Sequence, residues 1–168
     1  MSPPRRALAE LVADLLRLRR GPQNVPYSQA LLVRALIPYT LLGSTLAAFA
    51  MPVPRAVLYG PTEAALLAAL VYASLVARRR PARFVQTLTA LLLVGVVFNA
   101  LSLPLTALAR PENGLGLLIL ALVAWSFTVS VHILRLALDI PVPGSVLVNL
   151  GFFFTAYYGL GHLFGLFP

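Results

Sequence analysis

Three ionisable side chains stand close together near the end of a long apolar segment, in the stretch VHILRLALDIP. His132, Arg135 and Asp139 are spaced by three and four residues, which places them on one face of a helix. An acid–base pair for catalysis would need His132 and Asp139 to meet, but seven residues separate them by about 10 Å along a helix axis. We therefore expect an ordinary helix end, where Arg135 either favours the C-terminal dipole or pairs with Asp139.

The composition bounds the class of protein that positions these residues. Of the 168 residues, 60% are hydrophobic and 11% are charged, whereas soluble domains carry about 25% charged residues. The charge is too scarce to cover a surface in water, so the bilayer must be the solvent for most of the chain. The net charge of +8 accompanies apolar runs and not a polar module, so we predict no nucleic-acid partner. Arginine without lysine is typical of a high-GC bacterial genome.

Five apolar segments follow an amino-terminal arm. We predict an all-α polytopic membrane bundle, with residues 1–29 as arm and linker and 30–168 as a five-helix transmembrane domain. A helix needs about 20 apolar residues to cross the hydrocarbon. The predicted spans are 30–51, 58–77, 84–108, 114–138 and 145–166. The second is the shortest, because LYGPTE indicates a helix start with Pro61 in the first turn; the alternative is four spans with a re-entrant second segment.

Arginine placement predicts the orientation of these spans. On one side, the arginines are Arg5, Arg6, Arg17, Arg19 and Arg20 in the arm, and Arg78, Arg79, Arg80 and Arg83 in a short loop. The facing loops carry only Arg55 and Arg110. We predict that the protein lies in a bacterial inner membrane with its amino terminus in the cytoplasm and its carboxyl terminus in the periplasm.

The arm predicts a helix from Ala7 to Arg20. Leucine and valine residues form one stripe of this helix, while Glu10, Asp14 and Arg17 lie opposite. It is too charged to span. We expect it either to lie in the membrane interface, with its arginines against anionic lipid headgroups, or to dock on the ends of the other helices.

Ionisable residues inside apolar segments are candidates for function. Under the predicted topology, His132 and His162 differ in depth by about 15 Å, whereas ligands of one ion lie within about 4 Å of each other. The chain also has no cysteine, so we predict no metal and no cofactor, and we expect each histidine to be hydrogen-bonded to a neighbouring helix. Glu63 falls in the first turn of the second span, where Arg55 or Arg110 could pair with it.

Polar and small residues within the spans indicate two kinds of face. A candidate polar seam contains Glu63, Gln86, Asn99, Ser130, His132, Arg135 and Asp139. Such residues also hold helices together in membranes, and small residues let two backbones approach closely. Small residues recur every four positions at Ala65, Ala69, Ala73 and Ala77, and again at Gly161 and Gly165. We predict that these are helix–helix contact faces, either within the chain or between chains.

The stretch LYGP, Leu58 to Pro61, resembles the Yip1-domain family of small polytopic membrane proteins. The resemblance implies five spans and a cytoplasmic amino terminus. It also implies binding to partner proteins, as in the eukaryotic members that act in vesicle trafficking. The chain departs from the family pattern at Val57, where those proteins carry an acidic residue, and in placing the motif before the second span instead of the first.

Motifs for chemistry are scarce. The sequence has no glycine-rich phosphate loop, no GxSxG and no HExxH. It therefore favours a non-enzymatic inner-membrane protein that acts as an accessory, scaffold or assembly subunit through helix–helix contacts, with other membrane subunits or a second copy as partners. The alternative is a small transporter or channel that works as an oligomer, because one five-helix bundle leaves little room for a pathway.

Overall fold

The computed structural model describes residues 5–110 and 112–166, and within these ranges the chain is all-helical. The helices are α1 (Arg5–Leu16), α2 (Gln29–Ala47), α3 (Val53–Ala77), α4 (Phe84–Leu108), α5 (Leu115–Leu138) and α6 (Val142–Leu163). The described residues leave out the first four residues of the predicted arm and the last two of the predicted five-helix domain. They also leave out Pro111 and the side chain of Arg5.

Helices α2 to α6 are each long and apolar enough to cross a membrane, with mean hydropathies from 1.3 to 2.3. The prediction of five such helices is confirmed, but the predicted bounds of the second span are wrong. Helix α3 begins at Val53 and has 25 residues, so it needs no re-entrant path to account for its length.

LYGPTE is not the start of a helix, because it lies inside α3. Pro61 has no N–H to donate to the carbonyl of Val57. Ser44 of α2 donates its hydroxyl to that carbonyl at 3.2 Å and accepts the N–H of Gly60 at 3.3 Å. A side chain from the neighbouring helix thus replaces the bond that proline removes, and the helix continues through it.

The small residues that pack inside the chain are not those of the predicted stripe. The buried small residues of α3 are Ala56, Gly60 and Ala64. A Cβ placed on Gly60 would lie 2.1 Å from the carbonyl oxygen of Thr40, so only glycine fits this contact with α2. The residues of the predicted stripe are all exposed: Ala65, Ala69, Ala73 and Ala77. They form no buried contact within the described chain, which leaves only the predicted contact between chains.

Gly165 ends α6 and does not extend a contact face. It lies beyond the helix at a φ of +66°, a conformation that favours glycine. Its N–H donates to the carbonyl of His162, and the N–H of Leu166 donates to the carbonyl of Gly161. These two bonds form a Schellman cap. Gly161 is buried, so of the predicted pair only this residue packs within the helix.

Helices α2 to α6 form a closed ring. Helix α2 packs against α3 and α4, α4 packs against α5, α5 packs against α6, and α6 packs against α3. One half of the ring is filled by a buried apolar cluster that includes Val71, Leu75, Val94, Ile133 and Leu134. This cluster lies toward the end where α3 and α5 finish and where α4 and α6 begin.

Two arginines cap the last turn of α5. Arg83 donates from Nη1 to two carbonyl oxygens at 3.1 and 3.0 Å, and Arg78 donates from Nε to a third at 3.4 Å. The accepting carbonyls belong to Leu136, Ala137 and Leu138. Cations at the negative end of a helix stabilise it, so these arginines have a structural role besides any effect on orientation.

Helix α1 docks on the flank of the ring. Its Leu11 and Leu15 are buried in the same apolar cluster, and its last residue, Leu16, accepts a hydrogen bond from Trp125 Nε1 at 3.2 Å. Trp125 lies 13 residues before the end of α5, about 20 Å along the axis. The expectation of docking on the ends of the other helices is therefore wrong.

Candidate binding site inside the helix ring

A cavity of about 330 Å³ lies inside the ring, in the half that the apolar cluster does not fill. All five long helices contribute to its wall. Its polar lining consists of Tyr39, Glu63, Asn99, Ser102, Ser126, Ser130 and Asn149. The floor includes Leu91 and Leu134, which also belong to the buried cluster. The cavity is therefore closed toward one end of the ring.

Glu63 is the acid of this cavity. It lies ten residues after the start of α3, about 15 Å along the helix, so the prediction that it occupies the first turn is wrong. The Tyr39 hydroxyl of α2 is hydrogen-bonded to its carboxylate, and neither Arg55 nor Arg110 lines the cavity. Arg55 instead donates from Nη1 to the carbonyl of Phe164 at 3.2 Å.

Two glycines make room for the Tyr39–Glu63 pair. A Cβ on Gly95 of α4 would lie 2.4 Å from Tyr39 Cε2, so the tyrosine ring rests directly on the α4 backbone. A Cβ on Gly43 of α2 would lie 3.1 Å from Glu63 Oε2. The pair is thus held between α2, α3 and α4 by contacts that larger side chains would disturb.

Prolines stand beside the polar residues on three helices. Pro38 precedes Tyr39 in α2, Pro61 lies two residues before Glu63 in α3, and Pro104 follows two residues after Ser102 in α4. Each proline removes one backbone hydrogen bond of its helix. None of the three prolines ends its helix.

Three residues of the predicted polar seam meet in the cavity: Glu63, Asn99 and Ser130. Four further polar residues of the lining lie outside the predicted seam: Tyr39, Ser102, Ser126 and Asn149. Asn149 is buried and donates to the carbonyl of Phe127 at 3.4 Å; as an amide in an apolar segment, it carried the same signal as Asn99. Tyr39 gave no such signal, because tyrosine is frequent in apolar helices.

Gln86 and His132, two more seam residues, lie elsewhere. Gln86 donates from Nε2 to the carbonyl of Val25 at 2.8 Å, which ties the linker before α2 to α4. The buried Nε2 atom of His132 has no hydrogen-bond partner among the described residues, so the expected bond from this atom to a neighbouring helix is absent there.

Of the two alternatives for Arg135, the pair with Asp139 is wrong, whereas the position in the last turn of α5 agrees with the structure. Asp139 follows α5 in the left-handed region at a φ of +55°, and its carboxylate pairs with Arg80 at 2.7 Å. Arg135 is exposed, and its carbonyl accepts the N–H of Asp139. The reversal of the backbone at Asp139 directs the acid to the loop before α4 instead of back along α5.

The cavity opens sideways. Val123 of α5 and Phe153 of α6 line it, yet they are 46% and 50% exposed. The two helices are joined by a short turn at the closed end of the ring and hydrogen-bonded midway, where Asn149 reaches α5. A route into the cavity therefore runs between α5 and α6.

The donor set of the cavity is unsuited to a protein-held metal. Among the described residues, no group of three His, Asp or Glu side chains is placed to hold an ion.

Comparison with protein-family models, with curated proteins and with solved structures finds no match to this chain.

Proposed function

We propose that this chain is a multi-pass protein of a bacterial inner membrane, with its amino terminus in the cytoplasm. The support is the distribution of arginine, since Arg78, Arg79, Arg80 and Arg83 stand at one end of the ring and Arg55 at the other. Reporter fusions test this orientation. A fusion in the 78–83 loop should report the cytoplasm, and a fusion at the carboxyl terminus should report the periplasm. If both fusions report the same compartment, the proposed orientation is wrong.

The function that the geometry supports best is the binding and transport of a small solute through the cavity around Glu63. One observation carries this proposal: an acid and six uncharged hydrogen-bonding side chains surround a cavity to which all five helices contribute. Ionisable residues at membrane depth mark substrate pathways and proton relays, and transporter sites lie near the midplane. The cavity lies within one chain, so the transporter alternative no longer needs an oligomer to supply the room.

Alternating access would have to open the floor of the cavity. The cavity reaches the exterior between α5 and α6, whereas Leu91 and Leu134 close it toward the arginine-rich end. The prolines in α2 and α4 supply points at which these helices can bend, because each lacks one backbone hydrogen bond there, whereas Ser44 holds α3 to α2 beside Pro61. Neither solute binding nor this motion requires catalysis or a cofactor.

Flux measurements in proteoliposomes test transport. A trapped pH-sensitive dye reports proton flux under an imposed potential, alone and with a panel of amines, carboxylates and sugars outside. We expect flux above that of protein-free liposomes, reduced at least tenfold by Glu63→Gln and by Asn99→Leu. Glu112→Gln, which changes an exposed acid in the loop before α5, is the matched control and should leave flux unchanged. Flux that survives both cavity substitutions would overturn the proposal.

A second candidate is the accessory or assembly subunit, acting with other membrane proteins or with a second copy. The observation that favours it is the exposed alanine stripe of α3, which includes Ala69 and Ala73 and offers a backbone for close approach. Partner binding would also agree with the Yip1-domain resemblance. Ala69→Phe with Ala73→Phe should disrupt a complex recovered in mild detergent, whereas Ala121→Phe with Ala124→Phe on the exposed side of α5 should not. Recovery of the same complex from both would exclude this candidate.

A further inference from the structure

We propose that the cavity selects a compact organic cation with an apolar body, such as a lipophilic amine or a quaternary ammonium ion. This inference rests on the proposed binding of a small solute and names the class of that solute. It combines the charge of the lining, its aromatic walls and the position of its opening.

The charge of the lining excludes anions. Among the described residues that line the cavity, Glu63 is the only acid, and no arginine or histidine is present. Its carboxylate has the Tyr39 hydroxyl as a hydrogen-bond donor but no positive partner in the lining. A charge away from water is costly unless it is paired, so Glu63 favours either a bound proton or a cationic solute, and an anionic solute would meet a like charge whenever the carboxylate is ionised.

The walls favour an organic cation over a metal ion. Phe98, Phe127, Phe152 and Phe153 line the cavity together with Tyr39. Aromatic faces attract ammonium groups through the ring quadrupole, and this attraction increases where water is excluded. A divalent metal ion instead prefers several oxygen ligands that include carboxylates, and Glu63 is the one carboxylate among the described lining residues.

The volume and the opening favour a small solute that is soluble in lipid. A cavity of about 330 Å³ is at the lower end of the range for small-molecule sites. Its opening between Val123 and Phe153 is flanked by apolar side chains. A solute that enters from the bilayer must partition there first, which requires an apolar body beside the charged group.

Two isosteric compounds test the class directly. Benzyltrimethylammonium and 2,2-dimethylpropylbenzene have the same shape, but only the first is charged. Binding is measured on the full chain in nanodiscs by titration calorimetry and by the emission of Trp125, the only tryptophan. The ring of this tryptophan lies 6.0 Å from that of Phe98 in the cavity wall. We expect saturable binding of the ammonium compound, at least tenfold tighter than binding of the neutral one.

Two substitutions of Glu63 locate the preference. Glu63→Gln should reduce the affinity for the ammonium compound at least tenfold and leave the neutral compound unaffected. Glu63→Asp keeps the charge and should retain the preference, and Glu112→Gln should bind as the unmodified protein does. The comparison of the two compounds in the unmodified protein stands even if a variant fails to fold.

Each outcome decides the inference. Equal binding of the two compounds, failure to bind either, or an ammonium affinity that Glu63→Gln leaves unchanged would overturn the proposed solute class. If the flux of another solute still depends on Glu63 and Asn99, transport through the cavity stands and only the class is wrong. If flux is absent while the ammonium compound binds through Glu63, the class is right and transport is wrong.

Discussion

The contact between α2 and α3 at Gly60 offers the sharpest test of the packing. Substitution Gly60→Ala adds a Cβ that would lie 2.1 Å from the carbonyl oxygen of Thr40 and 2.6 Å from the hydroxyl oxygen of Ser44. The serine side chain can rotate, but the carbonyl belongs to the α2 backbone. The two helices must therefore separate by about 1.3 Å at this point before the contact reaches ordinary van der Waals distance.

The energetic cost has two parts. Overpacking of a close contact costs about 1–3 kcal/mol. The separation also lengthens both hydrogen bonds of Ser44, now 3.2 and 3.3 Å, beyond the range in which they form. Polar pairs between membrane helices contribute about 0.6 kcal/mol each on average. Together these give a loss of about 2–4 kcal/mol in the free energy of unfolding.

Unfolding in mixed micelles, by titration with a denaturing detergent and circular dichroism, measures this loss. Gly151→Ala is the matched control, because Gly151 also lies within a long helix, yet a Cβ there would meet no atom within 4 Å. We expect it to leave the free energy of unfolding unchanged or to raise it by up to about 1 kcal/mol, because alanine favours a helix more than glycine does. Equal effects of the two substitutions would refute the close contact of α2 with α3.

Two further predictions concern the polar contacts. Ser44→Ala should lower the free energy of unfolding by about 0.6–1.7 kcal/mol. When Pro61→Ala is also present, its new N–H can bind the carbonyl of Val57, so the loss caused by Ser44→Ala should be smaller. If the effects of the two substitutions simply add, then the serine hydroxyl does not replace the hydrogen bond that the proline removes. Asp139→Asn should lower the free energy of unfolding by less than about 1 kcal/mol, because the side chains of the Arg80–Asp139 pair are 33% and 69% exposed to solvent. This loss should shrink in high salt, and a larger loss that salt leaves unchanged would show that the pair is desolvated.

Local features of the sequence were sufficient to predict the five apolar helices. A helix in lipid must satisfy its backbone hydrogen bonds within its own segment, so each apolar run of sufficient length predicts one helix without reference to its neighbours. The helix ends were less predictable. In α3 the error followed from Pro61, which marks a first turn by local rules, whereas here the Ser44 hydroxyl of α2 satisfies the carbonyl that the proline leaves free.

That single contact changed the interpretation of Glu63. With the helix start at Pro61, the acid would lie at a helix end near Arg55. With the start at Val53, it lies in the middle of the ring, hydrogen-bonded to Tyr39. The position of an acid along a membrane helix thus depended on a side chain from another helix, which no pattern within α3 records.

The sequence by itself determined the helical class, the five apolar helices and the polar residues available to them. Only the tertiary structure decided that Glu63, Asn99 and Ser130 share one cavity while His132 and Asp139 do not. The physical reason is that hydropathy acts along one helix at a time, whereas a cavity depends on which faces meet. Those faces are set by contacts between distant residues, such as Gly60 of α3 against Thr40 of α2, and Gly95 of α4 against Tyr39.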